Sequence, residues 1–167
     1  MDQLRAAVPE FQPSWTRVEN IHLTVKFFGN VQQDKIVLVE KAASRAVNGF
    51  SPFEISIGGT GAFPKPNHPR VLWVGITDES GKLSELHERF ESECVKEGFD
   101  KEARGFRPHL TIARIKKPDG SRRAAELNQH LGFQPLSLNV GELVIFRSEV
   151  SSKGPKYTAL SRQTLSR

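Results

Sequence analysis

Two segments of this chain, 87 residues apart, carry the same pattern of side chains. Residues 20–27 read NIHLTVKF and residues 107–114 read RPHLTIAR, so that His22 aligns with His109 without a gap. Both segments are rich in apolar and β-branched residues, which is typical of strands. Because alternate side chains of a strand share a face, each segment places an imidazole beside a threonine hydroxyl and turns its aliphatic residues the other way.

A pseudo-twofold axis relating two such strands would bring both pairs of polar side chains into one cleft. His22 and His109 would then act as an acid–base pair, one taking a proton from water and the other giving a proton to a leaving oxygen. Thr24 and Thr111 would donate hydrogen bonds to the non-bridging oxygens of an anionic centre. Arg114, just past the second motif, could add a forked contact to the same phosphate.

The alternative is that His-Leu-Thr is a chance strand tripeptide with a structural histidine, but a gapless second copy argues against chance. The other histidines, His68, His87 and His130, lack this context and are interpreted as surface or structural residues. No metal or other cofactor is expected, because neither a His-x-x-x-His pattern nor a cysteine or aspartate cluster is present.

The length of 167 residues suits one domain spanning 1–167, and 37% hydrophobic with 26% charged residues is an ordinary soluble composition. The first residues lack the plan of a secretory signal, and no apolar run is long enough to cross a bilayer. The single cysteine, Cys94, cannot form an internal disulfide. We therefore expect a cytoplasmic protein without membrane contact, and a monomer.

Charge is unevenly distributed along the chain. Residues 101–167 hold 13 basic and 5 acidic side chains, whereas residues 1–100 hold 11 basic and 14 acidic ones. A basic half suits a phosphate-rich partner, although a solvated basic face is the simpler alternative. Four basic residues beyond the second motif are candidates for contact with the backbone of such a partner: Lys116, Lys117, Arg122 and Arg123.

The order of elements predicts an α+β fold. Helices are expected at 2–8, 34–48, between Ser80 and Gly98, and at 121–130; strands are expected at 14–18, 21–28, 53–57, 71–76, 109–115, 136–146 and 157–163, with a turn-rich loop at 58–69. These elements fit two pseudo-symmetric lobes, each an antiparallel sheet with helices on its outer face, and an active-site cleft between the lobes.

The paired motifs resemble those of the 2H phosphoesterase superfamily, and within it the RNA 2′,3′-cyclic phosphodiesterases, also called 2′-5′ RNA ligases. The blocks at 18–29, 69–75, 106–114 and 146–149 resemble family blocks in family order, and the likeness covers roughly residues 13–165. The family pattern opens with a short apolar strand, whereas this chain begins within the helix that follows it. We therefore expect the first family strand to be missing, with an unpaired sheet edge as the consequence.

The resemblance implies an enzyme of RNA processing that hydrolyses 2′,3′-cyclic phosphate ends, including those of tRNA fragments, to 2′-phosphates. It also implies the reverse joining through a 2′-5′ linkage, with His22 and His109 as catalytic residues and Thr24, Thr111 and Arg114 holding phosphate. Two alternatives stay open at this point. One is a phosphodiesterase for a small cyclic phosphate, and the other is a non-catalytic module that binds RNA ends.

Overall fold

The computed structural model describes residues 1–151 and 154–166, and its helices lie where the sequence predicts them. The helices are α1 Asp2–Ala7, α2 Ile36–Val47, α3 Lys82–Lys96 and α4 Ser121–His130, with 3-10 turns at Val18–Asn20 and Gln33–Lys35. The strands are β1 Ser14–Trp15, β2 Phe53–Phe63, β3 Val71–Thr77, β4 His109–Arg114, β5 Leu136–Val140, β6 Glu142–Ser151 and β7 Gly154–Thr164. Within the described residues, no helix is both long and apolar enough to cross a membrane.

The chain divides into two compact units, each assembled from three separate segments. The first unit consists of Met1–Thr24, Ser56–Thr77 and Pro108–Ser137, and the second of Val25–Ile55, Asp78–Arg107 and Leu138–Arg167. The units therefore do not coincide with the two sequence halves that carry the repeat. That residues 1–167 form a single domain stays a prediction.

A five-stranded sheet has the order β1-β4-β3-β2-β5, and most of its residues belong to the first unit; the pairs β1–β4, β4–β3 and β3–β2 are antiparallel. Trp15, Ala113, Leu72 and Ala62 are partners in register across four strands, so their side chains share one face. This face packs against α1 and α4, through a core that consists of Leu4, Val8, Phe11, Ala62, Leu72, Ala113, Ile115, Ala124 and Ala125. The opposite face carries different side chains.

A buried amide fastens α4 to the sheet. Asn128 is 1% exposed, and its Nδ2 donates to the Gly61 carbonyl at 3.1 Å, while its own backbone carbonyl accepts the Thr60 hydroxyl. Both contacts satisfy polar groups that would otherwise cost free energy in the core.

Strand β2 is longer than predicted. The glycines and Thr60 of segment 58–63 suggest a turn, yet this segment continues the strand to Phe63, with an irregularity between Ile57 and Thr60. Gly61 pairs with Trp73, and the absence of a side chain at Gly61 makes room for the indole ring. Gly61 therefore serves close packing within a sheet rather than a turn.

Other boundaries differ from the predictions as well, and the strand predicted at 14–18 is reduced to Ser14–Trp15. Segment 136–146 is two strands interrupted at Gly141, and β7 extends beyond 157–163 at both ends. Ser80 does not occupy the N-cap of α3, which is Gly81 at φ 70°, although the Ser80 hydroxyl accepts the Lys82 N–H.

The predicted strand at 21–28 is reduced to one antiparallel bridge, between Leu23 and Leu110. Pairing stops because the chain leaves the first unit after Thr24, and the residues that follow belong to the second unit. Pairing of this segment is therefore limited to the middle residue of the first motif, Leu23.

In the second unit, α2 and α3 pack together, and α2 also packs against the antiparallel hairpin of β6 and β7. The stripe that the sequence predicts on α3 is buried: Leu83, Leu86, Phe90 and Cys94. Burial raises the pKa of the Cys94 thiol to about 12. At the helix surfaces, Arg45 of α2 binds Glu93 and Glu97 of α3 at 2.6 and 2.5 Å.

Lys26 holds the segment after the first motif inside the second unit. Its Nζ lies 2.7 Å from Glu91 Oε1 and donates to the Asp100 carbonyl at 2.9 Å, and the two charged side chains are 4% and 5% exposed. The Glu102 N–H donates to the other carboxylate oxygen at 3.1 Å. Because both charges are removed from water, each depends on the other for compensation.

We therefore expect Lys26→Met to lower the free energy of unfolding by about 3–5 kcal/mol, since it leaves the Glu91 carboxylate buried without its cation. Adding Glu91→Gln should recover most of this loss, because the amide oxygen can still accept the Glu102 N–H. Chemical denaturation measures both changes. Arg122→Met, which removes an exposed ion pair with Glu126, is the control and should leave the midpoint unchanged. Equal midpoints for Lys26→Met and wild type would contradict the expectation.

Candidate phosphate site

All five residues predicted to form the site, His22, Thr24, His109, Thr111 and Arg114, belong to the first unit. The sequence predicts one motif in each of two lobes, with the site in a cleft between them. The structure instead pairs the two motifs directly, through the antiparallel bridge between Leu23 and Leu110.

That bridge determines which polar side chains are neighbours. In antiparallel pairing around Leu23 and Leu110, His22 lies across from Thr111, and Thr24 lies across from His109. Side chains directly opposite each other have Cβ atoms about 4.5–5.5 Å apart, and diagonal neighbours are about 7–8 Å apart. The two imidazoles are diagonal neighbours, so a group the size of a phosphate can lie between them.

Within the first unit, the register places the motif residues on the face of the sheet opposite α1 and α4. Leu110 is in register with Val74 of β3. Val74 is two residues from Leu72 and so shares its face, and Leu72 is a core residue beneath α1 and α4. His109 and Thr111 therefore lie on the other face of the sheet, in register with Gly75 and Trp73. We call this the histidine face, and its residues are His22, Thr24, Phe63, Trp73, His109, Thr111 and Arg114.

A β-bulge places Arg114 on the histidine face. Strict alternation from His109 and Thr111 would put residue 113 beside them and turn Arg114 toward the helices. Between the pairs Trp73–Thr111 and Leu72–Ala113, however, β4 contains one extra residue, Ile112. The extra residue shifts the alternation, so that Ala113 enters the core and Arg114 shares a face with the two motif residues.

Hydrogen bonding fixes the tautomer of neutral His22. Its Nδ1 lies 2.7 Å from the Asn20 carbonyl oxygen, which can only accept, so that Nδ1 carries a proton. The lone pair of the neutral ring is then on Nε2. A ring held in this way has a defined orientation and presents Nε2 as its basic atom.

His109 packs against aromatic side chains. The Phe63 ring meets the imidazole edge to face, with 5.0 Å between centroids and 84° between planes. Phe63 in turn packs on Trp73, at 5.2 Å and 36°. These two residues were not among those predicted from the sequence. One signal could have found them: each is an aromatic residue two positions from a glycine of its strand, Phe63 from Gly61 and Trp73 from Gly75.

The site is open to solutes on its charged side. Arg114 and Thr24 are exposed, while His22, His109 and Thr111 are half-buried. Two half-buried imidazoles, two hydroxyls and an exposed guanidinium can bind an anion and exchange protons with its oxygens. Among the described residues, no group of three or more His, Cys, Asp or Glu side chains could hold a metal ion.

The four outer basic residues are divided by the fold. Lys116 and Lys117 are exposed and follow directly after β4, close in sequence to Arg114. Arg122 and Arg123 are on α4, which covers the other face of the sheet, and Arg122 binds Glu126 at 2.8 Å. Of the four, only the two lysines extend from the strand that carries the histidine face.

The remaining histidines lie outside the site. His87 stacks on Phe106 with 4.1 Å between centroids and 5° between planes, and its burial lowers its pKa. His130 contacts the Glu126 carbonyl on α4, and His68 is exposed in the loop after β2.

Comparison with known proteins shows the family. The family model described as the 2′-5′ RNA ligase superfamily matches residues 1–151. A protein named RNA 2′,3′-cyclic phosphodiesterase from Methanothermobacter thermautotrophicus is 39% identical over 158 residues, covering 94% of this chain and 84% of that protein. A protein of the same name from Thermotoga maritima is 34% identical over 151 residues, covering 90% and 78%.

Solved structures share the fold. The protein TT0787 of Thermus thermophilus matches with a TM-score of 0.77 and 24% identity, over 99% of this chain and 93% of that chain. E. coli LigT complexed with 3′-AMP matches with a TM-score of 0.73 and 24% identity, over 99% and 89%. These matches confirm the expected α+β class.

Proposed function

Because this chain belongs to the 2′-5′ RNA ligase superfamily, we propose that it is an RNA 2′,3′-cyclic phosphodiesterase that opens the cyclic phosphate at an RNA end. The product would be a 2′-phosphate beside a free 3′-hydroxyl. Two relatives that bear this name, 39% and 34% identical, support the activity.

The observation that carries the proposal is the pairing of the two motifs. The bridge between Leu23 and Leu110 gathers two imidazoles and two hydroxyls on one face of one unit. A surface that binds an uncharged ligand would not require two imidazoles beside two hydroxyls. Hydrolysis of a phosphodiester, by contrast, needs a base, an acid and donors to the phosphoryl oxygens.

In the proposed reaction, one imidazole removes a proton from water as the water oxygen bonds to phosphorus. The bond from phosphorus to the 3′ oxygen breaks, and the other imidazole, entering protonated, gives its proton to that oxygen. His22 and His109 thus exchange protonation states, and proton exchange with solvent restores both. Neutral His22 presents Nε2 as its basic atom, and the near-symmetry of the motifs allows each histidine to serve in either role.

Thr24, Thr111 and Arg114 would stabilise the charge that develops on phosphorus-bound oxygens. The hydroxyls lie beside the opposite imidazoles, and the guanidinium brings a permanent positive charge with planar, forked donors. The bulge at Ile112 supports this role, because it puts Arg114 on the same face of the sheet as His109 and Thr111.

Ligation would use the same groups in a parallel ring-opening reaction. A 5′-hydroxyl would take the place of water: its oxygen attacks phosphorus, one imidazole removes its proton, and the 3′ oxygen leaves with a proton from the other imidazole, which gives a 2′-5′ linkage. We propose ligation only as this secondary activity, and the proposal requires no metal ion.

We expect the protein, with EDTA present, to convert a short RNA bearing a 2′,3′-cyclic phosphate to the 2′-phosphate product. His22→Ala and His109→Ala should each lower turnover by about 10²–10⁴-fold with the fold retained, since each removes a proton-transfer group. The double variant should be little worse than either single one. Gel mobility of the product and circular dichroism of the variants are the measurements, and His68→Ala is the matched control.

Binding without conversion by the wild-type protein would support an RNA-end-binding module instead. Near wild-type turnover in either single histidine variant would contradict the two-histidine mechanism.

The position of each basic side chain predicts which substrate is affected when that side chain is removed. Arg114→Ala should lower kcat/KM by about 10–10³-fold on both a mononucleoside 2′,3′-cyclic phosphate and an RNA oligomer, because it would contact the reacting phosphate. Lys116→Ala with Lys117→Ala should weaken only the oligomer and reduce the salt dependence of its binding. The matched control is Arg122→Ala with Arg123→Ala on the other face of the sheet, which should change neither substrate.

If the lysine pair affects both substrates equally, it does not contact an RNA backbone, and hydrolysis of a small cyclic phosphate becomes the better description. If the arginine pair on α4 weakens the oligomer as much as the lysine pair does, the division of the basic residues by the sheet is wrong.

A further inference from the structure

A run of three ring systems ends at His109. Its imidazole meets the Phe63 ring edge to face, and Phe63 packs on the Trp73 indole. Aromatic rings favour such tilted and perpendicular contacts, which hold each ring in a defined orientation. The His109 side chain is therefore constrained by its neighbours as well as by its strand.

Two glycines make room for the indole. A Cβ at Gly61 would lie 2.8 Å from Trp73 Cε2 and closer still to Cζ2 and Cη2, while a Cβ at Gly75 would lie 3.4 Å from Cζ3. The indole thus lies flat over two positions of the sheet that have no side chain. Gly75 is also the residue in register with His109.

The Trp73 indole is held in place by packing. Its Nε1 is buried, and among the described residues it has no hydrogen-bond partner. A buried donor left unpaired costs free energy, so the packing of the ring system has to offset that cost. Phe63 is anchored at its backbone as well, since its carbonyl accepts the Arg70 N–H at 2.6 Å.

We propose that Phe63 is a positioning residue, which holds the His109 imidazole in the orientation for proton transfer and is itself held by Trp73 over Gly61. This inference rests on the proposed role of His109. A histidine on a strand has more than one permitted rotamer. The Phe63 ring would exclude the others, and small misplacements of a reacting group lower rates strongly.

The first test removes the ring and then restores it. Phe63→Leu should lower kcat by about 10–100-fold while KM changes less than about threefold, because the substrate still binds but His109 is misaligned. Phe63→Tyr keeps the ring and should restore most of kcat. Phe11→Leu is the matched control: Phe11 meets Trp15 edge to face at 5.9 Å and 85° on the helix-covered side, and its substitution should leave kcat unchanged.

The second test displaces the Trp73 indole without changing Phe63 or His109. Gly61→Ala should displace the indole and lower kcat in the same manner as Phe63→Leu. Gly58→Ala on the same strand is the control, because its Cβ would meet Pro135 at an ordinary 3.5 Å. Neither glycine has a positive φ, so both alanines suit the local backbone.

A spectroscopic measurement tests the contact between the two rings directly, starting with the wild-type protein. In the wild-type protein, proton NMR should show nuclear Overhauser contacts between the His109 and Phe63 rings, and ring-current displacement of the His109 signals relative to those of exposed His68. In Phe63→Leu the displacement should disappear and the His109 signals should broaden or average. Five histidines in all keep this spectrum readable.

The outcomes separate the two proposals. If His109→Ala keeps its activity, the proposed mechanism fails, whatever Phe63 does. If His109→Ala is inactive but Phe63→Leu retains wild-type kcat, or if the wild-type spectrum shows no contact between the two rings, the positioning role is overturned and the mechanism stands.

Discussion

The antiparallel bridge between Leu23 and Leu110 is the contact on which the site depends. It joins two segments distant in the chain and decides that each histidine faces the threonine of the other motif. Without it, both segments would retain their residues but lose their common face. The aliphatic residues of the motifs thus carry as much of the arrangement as the polar ones, since the pairing of Leu23 with Leu110 sets the register.

Two departures from regular sheet geometry complete the histidine face. The bulge at Ile112 brings Arg114 to the side of His109, and the missing side chains at Gly61 and Gly75 admit the Trp73 indole. Bulges and glycines weaken a sheet locally. Here they fall on the three central strands, where they direct a guanidinium and an aromatic cluster toward the same face.

The sequence was sufficient for the family, the α+β class, the helices and the identity of the motif residues, because repeated spacing and helical periodicity are local signals. It was not sufficient for β2 beyond Ile57, because a glycine that makes room for a distant indole looks the same as a glycine in a turn. The strand at 21–28 was overestimated because its composition is that of a strand, whereas its pairing ends where the chain enters the second unit. The contact of Phe63 with His109 depends on three strands at once, and no window of sequence contains it.

The burial of Cys94 has a practical consequence. A thiol with a pKa of about 12 inside the α3 core presents almost no thiolate at neutral pH, and the chain has no second cysteine. We therefore expect the native protein to react little with maleimide reagents. A cysteine introduced at an exposed position, such as Lys117, would be the sole reactive thiol and could carry a fluorophore to report on RNA approaching the end of β4.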